Sequence, residues 1–177
     1  MLFRSPLVKF HIHSTTADEI KERIENGLLD MGLVTEPVDI SKYNFFRLPQ
    51  KEQWGILVHE KHRLAQKTFI TPDDLINEPL IIAKRIAVQN ELINWFNNSP
   101  EKLNIVATYN LILNAANMVK HQIGVALCFN LNFDNLYQDL RFIPLFPEIK
   151  TGAVLIWKKN HIYSQTMSHF IKSIKNA

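Results

Sequence analysis

The chain has 177 residues, 46% of them hydrophobic and 21% charged, with 5 Gly, 8 Pro and one Cys, which excludes the disordered, collagenous and disulfide-stapled classes. Twenty Lys plus Arg against seventeen Asp plus Glu leave a formal net charge of +3, too little for a protein whose whole surface grips nucleic acid by counterion release. The length admits one medium domain or two small lobes, either able to bury a core.

The chain opens Met1-Leu2-Phe3-Arg4-Ser5-Pro6, with neither a long apolar segment nor a small-residue cleavage site, so no secretion signal is read there. No apolar run approaches the length of a membrane span. In Val8-Lys9-Phe10-His11-Ile12-His13, apolar and polar residues alternate as in a strand with one face in a core. Thr16 and Glu19 then stand at capping-box spacing, Ile20 and Ile24 share a helix face, and Gly27 supplies a left-handed stop. Leu28 to Val34 reads as a second, buried strand, giving a strand-helix-strand unit with parallel pairing and a right-handed crossover.

Trp54 to His59 is the next strand, and Thr71-Pro72-Asp73-Asp74 opens a short helix with Thr as cap and Pro in the first turn. Pro79 to Ala83 is a strand, Asn90 to Asn97 a helix burying Leu92, Trp95 and Phe96, and Asn104 to Thr108 another strand. Asn110 caps a helix running to about Gln122, Gly124 ends it, and Val125 to Phe129 returns as a strand. That last run holds Cys128, which has no second cysteine to pair with, as in a reducing compartment. Leu140 to Leu145 and Ala153 to Trp157 are further strands, and Tyr163 to Lys175 closes the chain as an amphipathic helix. From Lys158 onward Lys158, Lys159, Lys172 and Lys175 occur without an acid, the pattern of a solvated helix face.

Read together, these segments resemble the effector-binding domain of LysR-type transcriptional regulators, over nearly the whole chain. The carriers are Pro6 to Phe10, Ile24 to Val34, the strand and bend Ile56-Leu57-Val58-His59-Glu60-Lys61-His62-Arg63-Leu64-Ala65, Pro79 to Ile82, Asn117 to Leu127, and Leu155-Ile156-Trp157-Lys158-Lys159. Arg63 stands where the family's bend usually has proline, and Cys128-Phe129-Asn130 where a proline is common. The resemblance implies an α/β fold of two Rossmann-like lobes joined by two crossover segments, periplasmic binding protein-like, type 2. Residues 1–58 with 154–177 would form lobe I, and 59–153 lobe II. The family carries a winged helix-turn-helix, a strand and most of a helix ahead of the segment that starts here at Met1. The chain is therefore expected to be a fragment with an N-terminally incomplete lobe I, either oligomerising through open strand edges or destabilised there.

Ser14, Thr15 and Thr16 lie where a strand end meets a helix N-terminus, a place for hydroxyls and free N–H groups to meet a carboxylate, and the resemblance puts an effector contact in this loop. Thr35 follows the next strand and faces the same cleft in the resemblance. Lys84 and Arg85 follow a strand at the mouth of the second lobe, where a cation could close over an anion. Asn110 and Asn130 offer amides, with Phe129 lining the cleft beside them. His11 and His13, and His59 and His62, make two histidine pairs, but neither has the His-Glu-x-x-His spacing or a cysteine beside it, so no metal is expected. No nucleophile elbow, phosphate-cradling loop or Cys-His arrangement is present, so neither catalysis nor a cofactor is expected.

The resemblance thus implies a cytoplasmic sensor of a small-molecule effector, a small organic anion given the available Lys and Arg. It would form a homodimer through the helices beginning at Thr16 and Asn110, with higher oligomers in a full-length protein. DNA would be bound only through an N-terminal domain outside this chain, and no membrane would be involved. The rival readings are a stand-alone solute-binding protein of a transporter and an α/β enzyme.

Overall fold

Thr16 sits in extended conformation and accepts a hydrogen bond from the Glu19 backbone N–H at 3.4 Å, starting helix α1 (Ala17–Glu25) in the computed structural model of the chain. Asp18 and Glu19 in its first turn and Arg23 in its last complement the helix dipole. Gly27, at φ +69°, makes the left-handed exit that the sequence anticipated. The structure describes residues 8–96, 103–131 and 137–175. They belong to two compact units, Met1–Pro49 with Ala153–Ala177 and Gln50–Gly152.

In the first unit, strand β1 (Gly32–Thr35) pairs antiparallel with Ala153–Ile156 of β7 (Lys150–Lys158). Ile20 and Ile24 of α1 pack with Val34, Tyr43, Val154 and Ile156 into one buried cluster. Helix α5 (Gln165–Lys175) buries Met167, and its Phe170 meets Phe10 edge to face at 5.9 Å.

Two expectations for this unit need correction. Val8 to His13 is not a strand: it forms no ladder, and Ile12 is 90% exposed. Alternation encodes a face, but a strand also needs a neighbouring edge, and β1 takes its partner antiparallel from β7, so the parallel strand-helix-strand unit does not form. The strand expected from Leu28 begins only at Gly32. The Leu28 and Leu29 N–H groups instead donate to the Arg23 carbonyl at 2.8 and 3.3 Å, closing the end of α1.

The second unit is built on a mixed sheet. Strand β2 (Tyr43–His59) runs on from the first unit, and its Trp54–His59 end lies between β5 (Val125–Phe129) and β6 (Leu140–Pro144), antiparallel to both. The stretch from Trp54 to Val58, assigned to lobe I from the sequence, therefore has its ladder partners here. Strand β3 (Pro79–Ala83) pairs parallel with β5 on one side and with β4 (Asn104–Tyr109) on the other. Helix α2 (Pro72–Leu75) is a single short element, whereas α3 (Ile86–Trp95) and α4 (Ile112–Lys120) make the β3-α3-β4 and β4-α4-β5 connections.

Since β4 and β5 flank β3 on opposite sides, the two right-handed crossovers run in opposite directions and cover opposite faces of the sheet. The core is split accordingly. Ile56, Leu80, Ile82, Val125 and Leu127 join Val88 and Leu92 of α3 and Phe96 just after it, while Leu57, Ile81, Ala126 and Cys128 join Ala115, Ala116 and Val119 of α4. Such strands, buried on both faces, read as continuous apolar runs.

Three boundaries differ from expectation. Helix α3 starts at Ile86 rather than Asn90, with Leu92 and Phe96 buried and Trp95 only half-buried; Asn97 lies outside the described residues. Asn110 does not cap α4. The cap position is Leu111, and Asn110 Oδ1 accepts from the Leu111 N–H at 2.9 Å, one residue too early to serve the first turn. Gln122, at φ +57°, makes the left-handed turn after α4. Gly124 is small for another reason: a Cβ there would lie 2.4 Å from the Pro79 carbonyl oxygen.

Candidate functional site

Parallel strands end on the same side, and here that brings together residues far apart in the chain. Lys84 and Arg85 follow β3, Asn110 follows β4, and Phe129 ends β5 with Asn130 just after it. Ligands of open α/β sheets bind outside these carboxyl ends, where the connections reverse direction. The Lys84 N–H donates to the Tyr109 carbonyl at 2.8 Å, tying two of the ends together. Lys84, Asn110 and Asn130 are exposed, and Arg85 and Phe129 are half-buried. The assembly is a cation-bearing, amide-bearing rim on the buried strands β3 and β5 and the more exposed β4, suited to an anion with polar substituents.

The support beneath this rim was not evident in the sequence. Gln89 Nε2 on α3 donates to the Ala83 carbonyl at 2.9 Å and to that of Lys84 at 3.4 Å, holding the turn that carries Lys84 and Arg85. The Tyr109 hydroxyl donates to the Leu127 carbonyl at 2.8 Å, and burial pushes its pKa up, keeping it a neutral donor. Phe129 lies against Trp54 with ring centroids 4.4 Å apart, and the Trp54 indole N–H donates to Thr151 Oγ1 at 2.8 Å. Hydrogen-bonding residues inside an apolar run carry no sequence signal of their partners, since these lie from 5 to 97 positions away.

Ser14, Thr15 and Thr16 form the loop entering α1 in the other unit, with Ser14 exposed and the two threonines half-buried. Thr16 is the cap. Thr15 is already engaged, its hydroxyl donating to Glu19 Oε2. Arg23 holds the other oxygen of that carboxylate, Oε1, through Nε at 2.9 Å and a terminal nitrogen at 2.8 Å, and His13 Nε2 lies 3.9 Å from it. The Thr15 hydroxyl and then the Arg23 guanidinium hold the Glu19 pKa below the usual carboxylate value. The capping-box spacing thus produces half a box: Thr16 caps, while the Glu19 side chain turns to Thr15 and Arg23. Thr35 is the last residue of β1, paired with Ala153 and half-buried.

The histidines at the bend have local work. His59 Nδ1 accepts from the Lys61 N–H at 3.2 Å, and His62 Nδ1 accepts from the Leu64 N–H at 3.3 Å. His62 Nε2 also lies 3.3 Å from Glu78, a buried carboxylate that pairs with Arg63 as well. Arg63 thus anchors the bend through its charge at the place where proline was expected. Among the described residues no three His, Cys, Asp or Glu side chains group as metal ligands, and no helix is long and apolar enough to cross a membrane.

The model of one protein family, the LysR substrate binding domain, matches residues 3–177. The chain is 22% identical over 131 residues to the HTH-type transcriptional regulator YvbU of Bacillus subtilis (strain 168), covering 74% of this chain and 44% of that protein. Among solved structures it resembles HinK, a LysR family transcriptional regulator from Pseudomonas aeruginosa, with a TM-score of 0.78 and 19% identity over 99% of this chain and 62% of that one. It also resembles the effector binding domain of QuiR in complex with shikimate, with a TM-score of 0.81 and 16% identity over 96% and 81% of the two chains. The chain therefore spans less than two thirds of the regulators YvbU and HinK.

Proposed function

The chain belongs to the LysR substrate-binding domain family, and on that premise we propose that it is the effector-sensing domain of a LysR-type transcriptional regulator, one that takes up a small organic anion. The observation that carries the ligand class is the convergence of Lys84, Arg85, Asn110, Phe129 and Asn130 at the carboxyl ends of β3, β4 and β5. Ser14, Thr15, Thr16 and Thr35 are proposed as further effector contacts. The role is binding without turnover: an effector that prefers one of two conformations shifts their populations by its difference in affinity, and the shift alters how protomers assemble on DNA. The protein acts in the cytoplasm as a homodimer, and DNA is contacted by a separate helix-turn-helix segment of the regulator.

Calorimetric titration of the chain with a panel of small carboxylates, shikimate and benzoate among them, tests this. A charge-assisted hydrogen bond is worth about 1.5–3 kcal/mol, so Lys84→Met and Arg85→Met should each weaken the best binder by about tenfold or more. A panel in which no carboxylate binds at millimolar concentration, or a binder indifferent to both substitutions, would sink the anion reading.

A further inference from the structure

The loop Ser14–Thr16 presents two threonine hydroxyls, and one of them already has an anion on it. The Glu19 carboxylate reaches back one turn of α1, accepts the Thr15 hydroxyl with Oε2, and is held by Arg23 through two nitrogens at 2.9 and 2.8 Å on Oε1. The groups facing this carboxylate are Thr15, Arg23 and, at 3.9 Å, His13. Asp18, the next acid along α1, is turned instead to Lys21 at 3.3 Å.

We propose that Glu19 is a resident competitor in the effector loop: its carboxylate occupies the Thr15 hydroxyl and engages Arg23, so an incoming carboxylate must displace it. This rests on the reading of Ser14–Thr16 as effector contacts and adds what that reading lacks, a residue that sets selectivity there. Two carboxylates cannot share one hydroxyl donor, and like charges a few ångströms apart repel even in a half-exposed site. A carboxylate ligand therefore binds this loop weakly while Glu19 is charged. An uncharged ligand of the same shape suffers no such repulsion and can donate to Glu19 rather than evict it. Arg23 is the reserve: once Glu19 leaves, its guanidinium is the cation an effector carboxylate would meet.

Benzoate and benzamide, alike in shape and different in charge, are the probes, titrated at low ionic strength into the full 177-residue chain. Binding is followed at the backbone amides of Thr15, Thr16 and Ala17 by NMR. Glu19→Gln removes the charge and frees Arg23, so benzoate should bind about three- to tenfold more tightly at these amides, whereas benzamide, which loses a charged acceptor, should bind no more tightly. Arg23→Gln leaves Glu19 charged and unclamped, so benzoate binding should weaken. Opposite signs from two substitutions of one ion pair cannot come from loss of stability alone, and either variant suffices if the other fails to fold. Equal benzoate affinity at these amides in wild type and Glu19→Gln overturns the competitor and leaves the loop as a contact. No shift at these amides with benzoate in the wild type or either variant overturns both.

Discussion

The indole N–H of Trp54 donates to Thr151 Oγ1 at 2.8 Å across 97 residues of sequence, and both side chains are buried. Removing the acceptor strands a buried donor, which costs about 1–3 kcal/mol. Thr151→Val, close in shape, should therefore lower the unfolding free energy obtained from urea titration by that amount, whereas Thr151→Ser should recover most of it. Unchanged stability in Thr151→Val would mean that Trp54 finds another acceptor.

Gly124 and Gly27 are glycines for different reasons, and alanine should tell them apart. At Gly27 the backbone is left-handed with open space around it, so Gly27→Ala costs about 1–2 kcal/mol of backbone strain. Asparagine, which tolerates that conformation, should cost less. At Gly124 a Cβ meets backbone, the Pro79 carbonyl oxygen at 2.4 Å, and β3 must shift from β5. Overpacking of this kind costs about 1–3 kcal/mol, and Gly124→Asn should be no milder than Gly124→Ala. Thermal melts of the four variants would decide.

Asp74 links stability to acidity. Burial pushes its carboxyl pKa up, but the Lys67 ammonium and the Thr71 N–H and hydroxyl, each of the latter at 3.0 Å, outweigh that and leave it lowered. A carboxylate with a depressed folded pKa stabilises the protein above its unfolded value, about 3.9, and the contribution is lost as pH falls through the folded value. Asp74→Asn should cost about 0.5–2 kcal/mol at neutral pH, the range for a lost cap, and the gap to wild type should close below about pH 4. A gap that stays constant from pH 7 to pH 3 would contradict this.

Cys128 is buried and its thiol pKa is pushed well up by desolvation. As thiolate is the reacting form, an aromatic disulfide reagent should label it only when the second unit opens. Labelling should accelerate in step with unfolding as urea is added; rapid stoichiometric labelling in native buffer would refute the burial.

How much of this was legible before the structure depends on how local each signal is. Thr16, Ile20, Ile24 and Gly27 announced α1 because a cap, a face and a stop all lie within one helix. The rim of Lys84, Arg85, Asn110 and Asn130 followed from strand-helix alternation, since parallel strands must end together. Val8 to Ile12 misled because alternation says nothing about whether an edge is available. Tyr43 to Gln53 was missed for the converse reason: Arg47, Pro49, Lys51 and Glu52 break any face, and the long strand β2 persists there through its place in the fold. Glu19 was legible as a capping partner by spacing, but its contact with Thr15 depends on which way one side chain turns.

The division of the second unit's core by odd and even strand positions also bears on how such a protein can change its taste. Each of β3 and β5 is committed on both faces, so altering strand residues disturbs α3 or α4. The tips that carry Lys84, Arg85, Asn110 and Asn130 belong to neither packing layer. Mutational drift can rewrite those tips one by one while the scaffold stays intact, so new chemical preferences need not await a new architecture.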